Sequence, residues 1–258
     1  MLEDMNINDT FAFPYANPGK SAVVSVSNQE YVRHAIKTHF IEAGKENYID
    51  IISRYVTPVY KEGDFLAISE KLITLCQNRV ITKNDLKIGF WAKFLSRFAY
   101  RSPYGFGIRN PYKMAAAIKL AGLPRVLFAA FCSVIGKLFG VRGVFYKVVG
   151  NNISNIDGFN NLAFDYYADK GLISPENPVG VCKEIKEKLN IDCMIMDVND
   201  IGAEILGVSS DAPYGIDVLK AMVKDNPAGQ DQEMTPLILI RKKQEYADVA
   251  VDSEAHGA

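Results

Sequence analysis

The chain has no apolar run fit to cross a bilayer. Its most apolar stretch, Lys113 to Phe139, is broken by Pro124, Arg125 and Lys137, and its longest uncharged run falls well short of the roughly 18 residues a span needs. No membrane span is expected. Histidine is scarce: there are 3, and His256 lies in the tail. A His-based zinc site or a Ser-His-Asp triad would have to use His34 or His39. The 4 Cys, Cys76, Cys132, Cys182 and Cys193, form no CxxC pair and no short Cys/His spacing. That excludes the common structural zinc motifs and suits reduced thiols. Neither a GxxxxGK[ST] loop nor a GxGxxG turn is present, so any nucleotide is held without the common phosphate loops. The first residues, MLEDMNIND, show no basic region leading into an apolar run. No signal peptide and a cytoplasmic location are therefore expected. The net charge of −1 gives no global pull toward nucleic acid. There is no internal repeat and no low-complexity block.

What is present is an ordinary globular composition, 48% hydrophobic and 23% charged over 258 residues. That is enough for one large domain or two small ones with a real core. Residues 1–28, with Pro14, Pro18 and Gly19, read as an irregular arm, 29–241 as the domain, and 242–258 as a flexible polar tail. Strands are expected at Tyr31–Phe40, Phe65–Ile68, Val144–Gly150, Ile191–Met196 and Leu237–Ile240. Helices are expected at Glu46–Tyr55, at Pro175–Leu189 and over Gly215–Lys224, and a helix or extended segment from Ser69 through Arg79. Phe90, Phe94 and Phe98 mark a helix whose apolar stripe is expected to face the core. Two packed helices fill Lys113 to Phe139, the second starting near Leu123-Pro124.

The chemistry sits where apolar segments end in carboxylates. Val144–Gly150 leads to Asp157 and Asn160, and Cys193–Met196 runs into Asp197. A strand end can hold a charged ligand at the rim of a sheet. Taken alone, each Asp is equally an ordinary turn residue, the commoner case. Together with Gln230 and Glu233 they form a set of hard oxygen donors. Such donors suit magnesium or manganese, which bridge substrate phosphates with one or two protein carboxylates.

The order of these motifs resembles the coenzyme F420-0:L-glutamate ligase family, the GTP-dependent γ-glutamyl ligases, from about Ile36 to Arg241. Gly63 to Lys71, followed by Arg79, resembles the family's glycine-aspartate strand and the basic segment after it. Asn152 to Asn160 resembles its NAGID-x-SN loop, and Asp197-Val198-Asn199 its DTNG loop. Gly229-Gln230, then Pro236 and the LILIR strand, resembles its last nucleotide loop. Three places depart from the pattern, one of them Asp200-Ile201 where the family has Gly-Arg. Leu75 stands where the family has a phosphate-touching Lys, and Val198 where it has a Thr. Residues 85–146 have little counterpart.

The resemblance implies an α+β fold with a mixed β-sheet and packed helices, forming an intertwined homodimer. It implies a ligase that uses GTP to phosphorylate a small-molecule carboxylate acceptor, then joins it to glutamate or a similar amino acid. Asp157 and Asp197 would hold a divalent metal, magnesium or manganese, with Gln230 near a second. Thr38, His39, Phe40, Ile41, Glu70, Lys71, Asn160 and the loop Ala228, Gly229, Gln230, Asp231, Gln232, Glu233, Met234 and Thr235 would contact nucleotide. Lys71 or Arg79 would clamp phosphate, unless either is only a solvated surface charge. Three other readings stand beside this one. The first is a non-catalytic nucleotide- or metabolite-binding protein derived from the family. The second is a lipid-associated function on Met114–Phe139. The third is a site for a bulky aromatic acceptor at 90–112.

Overall fold

The computed structural model describes residues 13–99, 107–141, 143–150, 153, 156–159, 164–199 and 202–243. The fold is α+β. The span expected as one domain falls into two compact units: residues 1–76 with 176–258, and residues 77–175.

The first unit is built on a six-stranded mixed sheet. Its strands are β1 (Val23–Val26), β2 (Gln29–Ile36), β3 (Phe65–Ser69), β7 (Asp192–Asn199), β8 (Gly202–Val208) and β9 (Leu237–Lys242), in the order β1-β2-β9-β3-β7-β8. Among the described residues of this sheet, only β3 and β7 pair in parallel. The central strands read as unbroken apolar runs because both faces are covered. Phe65, Ala67, Met194, Met196, Ile238 and Ile240 cluster with Leu219, Met222 and Val223 of α8 (Ile216–Val223). Residues of the opposite parity face α7 (Pro178–Leu189). The Cys193 thiol reaches the Cys182 carbonyl there, and a Cβ at Gly207 would strike the Pro178 backbone at 2.6 Å. Helices α1 (Tyr48–Tyr55) and α2 (Glu70–Cys76) complete that layer, α2 against β3 and β7. Asn47 caps α1 through its side chain, as an Asn at that position should.

Four expectations change in this unit. The arm 1–28 carries β1, which pairs with β2 through a turn at Ser27 and Asn28, both at positive φ. β2 stops at Ile36, so Thr38 to Ile41 lie beyond the strand. β7 runs on to Asn199 because β8, unforeseen, supplies a partner, so Asp197 is a strand residue and not a loop residue. β9 extends to Lys242, and 244–258 of the expected tail lie outside the described residues.

The second unit joins a small sheet, β4 (Val80–Thr82), β6 (Lys170–Leu172) and β5 (Asp157–Gly158) in that order, to helices α3 (Phe90–Phe98), α4 (Pro111–Ala121), α5 (Leu123–Leu138) and α6 (Val144–Val149). Its core gathers Met114 to Ala117 of α4, Val126 and Ala129 of α5, and Phe145 and Val149 of α6. The paired helices expected over Lys113–Phe139 are α4 and α5, separated at Gly122, whose φ of 80° a side chain would resist.

Two corrections fall here. Val144–Gly150 is a helix, not a strand. Six apolar residues do not distinguish the two by periodicity, and packing decides: Phe145 and Val149, one turn apart, both enter the core. Gly136 allows the approach, since a Cβ there would meet Val144 at 2.6 Å. The stripe Phe90, Phe94 and Phe98 lies on α3 as expected, but it is exposed. Ala92 and Ser96 are the buried residues of that helix.

Candidate functional site at one end of the central sheet

Strand directions bring four of the predicted segments of the first unit to one end of its sheet. β2 ends at Ile36, whose partner Leu237 begins β9. Leu237 in turn pairs with Ile68, one residue before β3 ends. In the parallel pair, Ser69 lies beside Met196, immediately before Asp197. Thr38–Ile41, Ala228–Thr235, Glu70-Lys71 and Asp197 therefore all emerge at this end. Backbone hydrogen bonds fix them: Thr38 N–H donates to the Met234 carbonyl at 2.9 Å, Ser69 N–H to Pro236 at 2.8 Å, and Gly44 N–H to Leu75 at 2.8 Å. Ligands in open α/β sheets gather where strands end and loops diverge in this way.

Within this set, Asp197 lies directly opposite Glu204 on β8, and Asn199 opposite Gly202. Residues 197, 199 and 204 thus share one face. They line a depression of 280 Å³ with Gly202 and Ala203. Asn199 Oδ1 accepts from Gly202 N–H at 3.2 Å, which orients its amide. Glu204 escaped the sequence reading. Its signal was Asn199-Asp200 and Gly202 between two β-rich runs, a hairpin pattern.

The loop Ala228–Thr235 is built rather than loose. Asn17 Nδ2 donates to the Pro227 carbonyl at 2.8 Å and to Thr235 Oγ1 at 2.7 Å, and Thr235 Oγ1 donates to Ala228 at 2.9 Å. Glu233 accepts from the Asp231 N–H at 2.8 Å. Gln230, Asp231 and Gln232 are exposed at the tip.

The other predicted residues divide by role. Thr38 and Ile41 are buried, and Phe40 is half-buried. The His39 ring is held between Glu46 and Tyr55, with Nδ1 2.7 Å from the Tyr55 hydroxyl. Lys71 is exposed at the start of α2, whereas Leu75 and Thr74 are buried. Burial, aided by the Glu46 carboxylate, pushes the Cys76 thiol up to about 12, which keeps it protonated and poorly nucleophilic at neutral pH.

Asp157 belongs to the second unit. It is exposed in β5, accepts from the Gly158 N–H at 2.7 Å, and has Lys113 Nζ at 4.0 Å. Burial, with Tyr166 and Asp157 nearby, raises Tyr167 to about 12. Arg79, weighed as a phosphate clamp, donates Nε to the Ser174 carbonyl at 2.7 Å. Asn160 lies outside the described residues. Among the described residues, no group of three or more His, Cys, Asp and Glu is placed to hold a metal ion. In comparisons with known proteins, no family model and no curated protein sequence matches the chain.

Proposed function

We propose that the chain is a metal-dependent, nucleotide-driven acid–amino-acid ligase, with its nucleotide site at the shared end of β2, β9, β3 and β7. One observation carries this reading: the sheet register assembles at that end the segments Thr38–Ile41, Glu70-Lys71, Asp197 and Ala228–Thr235. The resemblance implies nucleotide contacts for the first, second and fourth of these and a metal at Asp197, which it pairs with Asp157 of the second unit.

The donor set fits a hard divalent cation. Two like-charged carboxylates directly opposite in an antiparallel pair destabilise it by about 0.2–1 kcal/mol, and a magnesium or manganese ion accepts such oxygens. Asp197 and Glu204, with the Asn199 amide oxygen, would hold it. When bound it supplies Lewis-acid stabilisation of phosphoryl charge.

The chain's own residues supply the rest. Lys71 places an ammonium at the start of α2 for the phosphates. The loop 228–235, pinned by Asn17 and Thr235, presents Gln230 and backbone groups to the nucleotide. In the reaction, an acceptor carboxylate oxygen takes the γ-phosphoryl group and the nucleoside diphosphate leaves. The amino-acid amine then attacks the acyl carbonyl, loses a proton, and phosphate departs. The net products are amide, diphosphate nucleotide and inorganic phosphate.

The test is release of GDP from GTP with manganese, glutamate and a panel of carboxylic acids. Turnover that requires acid and amine together, and that Asp197→Asn abolishes, is the expected result. GTP and manganese together should also raise the melting temperature, and chelator should reverse the effect. Binding without turnover across the panel favours the second reading, a nucleotide- or metabolite-binding protein. The buried Leu75 is the observation behind that reading, because the family's phosphate-touching Lys stands there. Absence of any nucleotide- or metal-dependent shift rejects the ligase and leaves the metabolite-binding reading.

A further inference from the structure

The second unit carries an apolar surface that nothing in its own core uses. On α3, Phe90, Trp91, Phe94 and Phe98 project outward, with Phe90 70% and Phe98 68% exposed. They contact one another in a ladder: the Phe90 and Phe94 rings stack at 5.7 Å, and Phe94 meets Phe98 at 5.0 Å. α5 is mostly apolar, with Arg125 and Lys137 as its charges, but buries only Val126 and Ala129. Its opposite face shows Phe128, Phe131, Ile135 and Leu138, spaced one or two turns apart, and Phe139 follows at 80% exposure. Exposed apolar patches of this kind mark interaction surfaces.

Charge identifies the occupant. From Leu86 to Ile156 the sequence holds no Asp or Glu and eleven Lys or Arg. The other 18 of the 29 bases share the rest of the chain with all 30 acids. The near-neutral total therefore conceals a strongly cationic segment. Lys93 and Arg97 lie on the flank of the aromatic ladder, and with Arg109 they line a depression of 370 Å³. Among the described residues no single helix is long and apolar enough to cross a bilayer, and α4 and α5 are bent by 116° where they meet. That geometry suits a surface that dips into one leaflet.

We infer that the aromatic face of α3 and the outer face of α5 dock the protein on an anionic phospholipid bilayer, with Lys93, Arg97 and Arg109 taking headgroup phosphates. Aromatic and aliphatic side chains enter the interface while cations meet the lipid charge, the pattern of an interfacial membrane protein. A second copy of this chain would bring the same cations against themselves. A nucleic acid would find aliphatic side chains on α5 that do not stack with bases.

The experiment is flotation of the full chain with vesicles of phosphatidylcholine alone or mixed with phosphatidylglycerol. Recovery on the mixed vesicles, released by salt, is expected. Phe90→Ser with Phe98→Ser, or Leu138→Ser with Phe139→Ser, should weaken binding by about tenfold or more. Lys93→Gln, Arg97→Gln and Arg109→Gln together should weaken it by about fivefold per charge on anionic vesicles only. These side chains are exposed, so an unchanged melting curve verifies the fold of each variant. Equal recovery on both vesicles, or recovery indifferent to the substitutions, overturns the inference. So does absence of recovery on the mixed vesicles; tight single-stranded RNA binding, or a dimer that the Phe90→Ser and Phe98→Ser pair dissociates, then names the occupant instead.

Discussion

Asp64 and Arg241, at the start of β3 and near the end of β9, form a two-pronged ion pair with both side chains almost fully buried. Arg241 Nε donates to Asp64 Oδ1 and Nη2 to Oδ2, each at 2.6 Å. Further hydrogen bonds surround the pair. Nη2 reaches the Val59 carbonyl at 3.2 Å, Lys61 N–H donates to Asp64 at 2.8 Å, and the guanidinium lies 4.5 Å from the Phe13 ring centroid. Asp64 belongs to the glycine-aspartate motif that carried part of the resemblance, and its task here is to join two central strands. Removing one partner leaves a buried charge uncompensated. Asp64→Ala or Arg241→Met should each cost about 3–5 kcal/mol. The double variant should cost far less than the sum, as read in urea unfolding.

His34 gives stability a defined dependence on pH. Burial, then the nearby Arg241 charge, lowers its pKa to about 4. Its Nδ1 accepts the Tyr15 N–H at 2.9 Å, which requires the neutral ring. An unfolded histidine titrates near 6.5, so between about 6.5 and 4 the unfolded chain takes up a proton that the fold refuses. The His34 contribution is complete above 6.5 and is lost as pH falls toward 4, by about 3 kcal/mol in all. Unfolding at pH 7 and pH 4.5 should show this loss, and His34→Gln should flatten it. An unchanged slope in the variant would assign the dependence to other groups.

Much of this arrangement could be read directly. β3 and β9 are short apolar runs with both faces buried, and each is a strand as expected. The convergence of Thr38, Glu70-Lys71, Asp197 and the 228–235 loop could not be read, because it depends on pairing directions rather than on local pattern. The Val144–Val149 run failed for a different reason: β-branched and aromatic residues suggest a strand, yet two flanking glycines and a core contact every fourth residue make a helix. The α3 stripe failed because helical periodicity identifies a face without saying what covers it. The acid-free segment around it was the signal that went unused.

Glu204 tests the candidate cation site through opposite signs. Without metal, Glu204→Gln relieves the repulsion from Asp197 across the strand pair and should stabilise the protein by about 0.2–1 kcal/mol. With manganese present the same change removes a donor and should erase most of the metal-induced rise in melting temperature. Melting curves with manganese and with chelator give both values. A loss of stability in chelator would mean that Glu204 has a structural partner and no place in a cation site.

Gly229 tests whether the shape of the 228–235 loop matters to nucleotide binding. It sits at φ 76°, and a Cβ there would lie 2.5 Å from the Glu233 carboxyl carbon. Alanine would therefore strain the backbone and displace the carboxylate that accepts the Asp231 N–H. The left-handed conformation costs a residue with a Cβ about 1–2 kcal/mol, a modest part of the fold's stability. The larger effect should fall on the ligand. If the chain binds nucleotide and metal as proposed, the GTP-induced melting shift should collapse in Gly229→Ala while the metal-only shift, assigned by the proposal to Asp197 and Glu204, persists. Glu233→Gln keeps the shape of the side chain and can still accept from Asp231, so it should retain most of the GTP response. If Gly229→Ala keeps the full response, the nucleotide does not use this loop. The site would then have to be sought among the segments from Thr38 to Ile41 and from Glu70 to Lys71 alone.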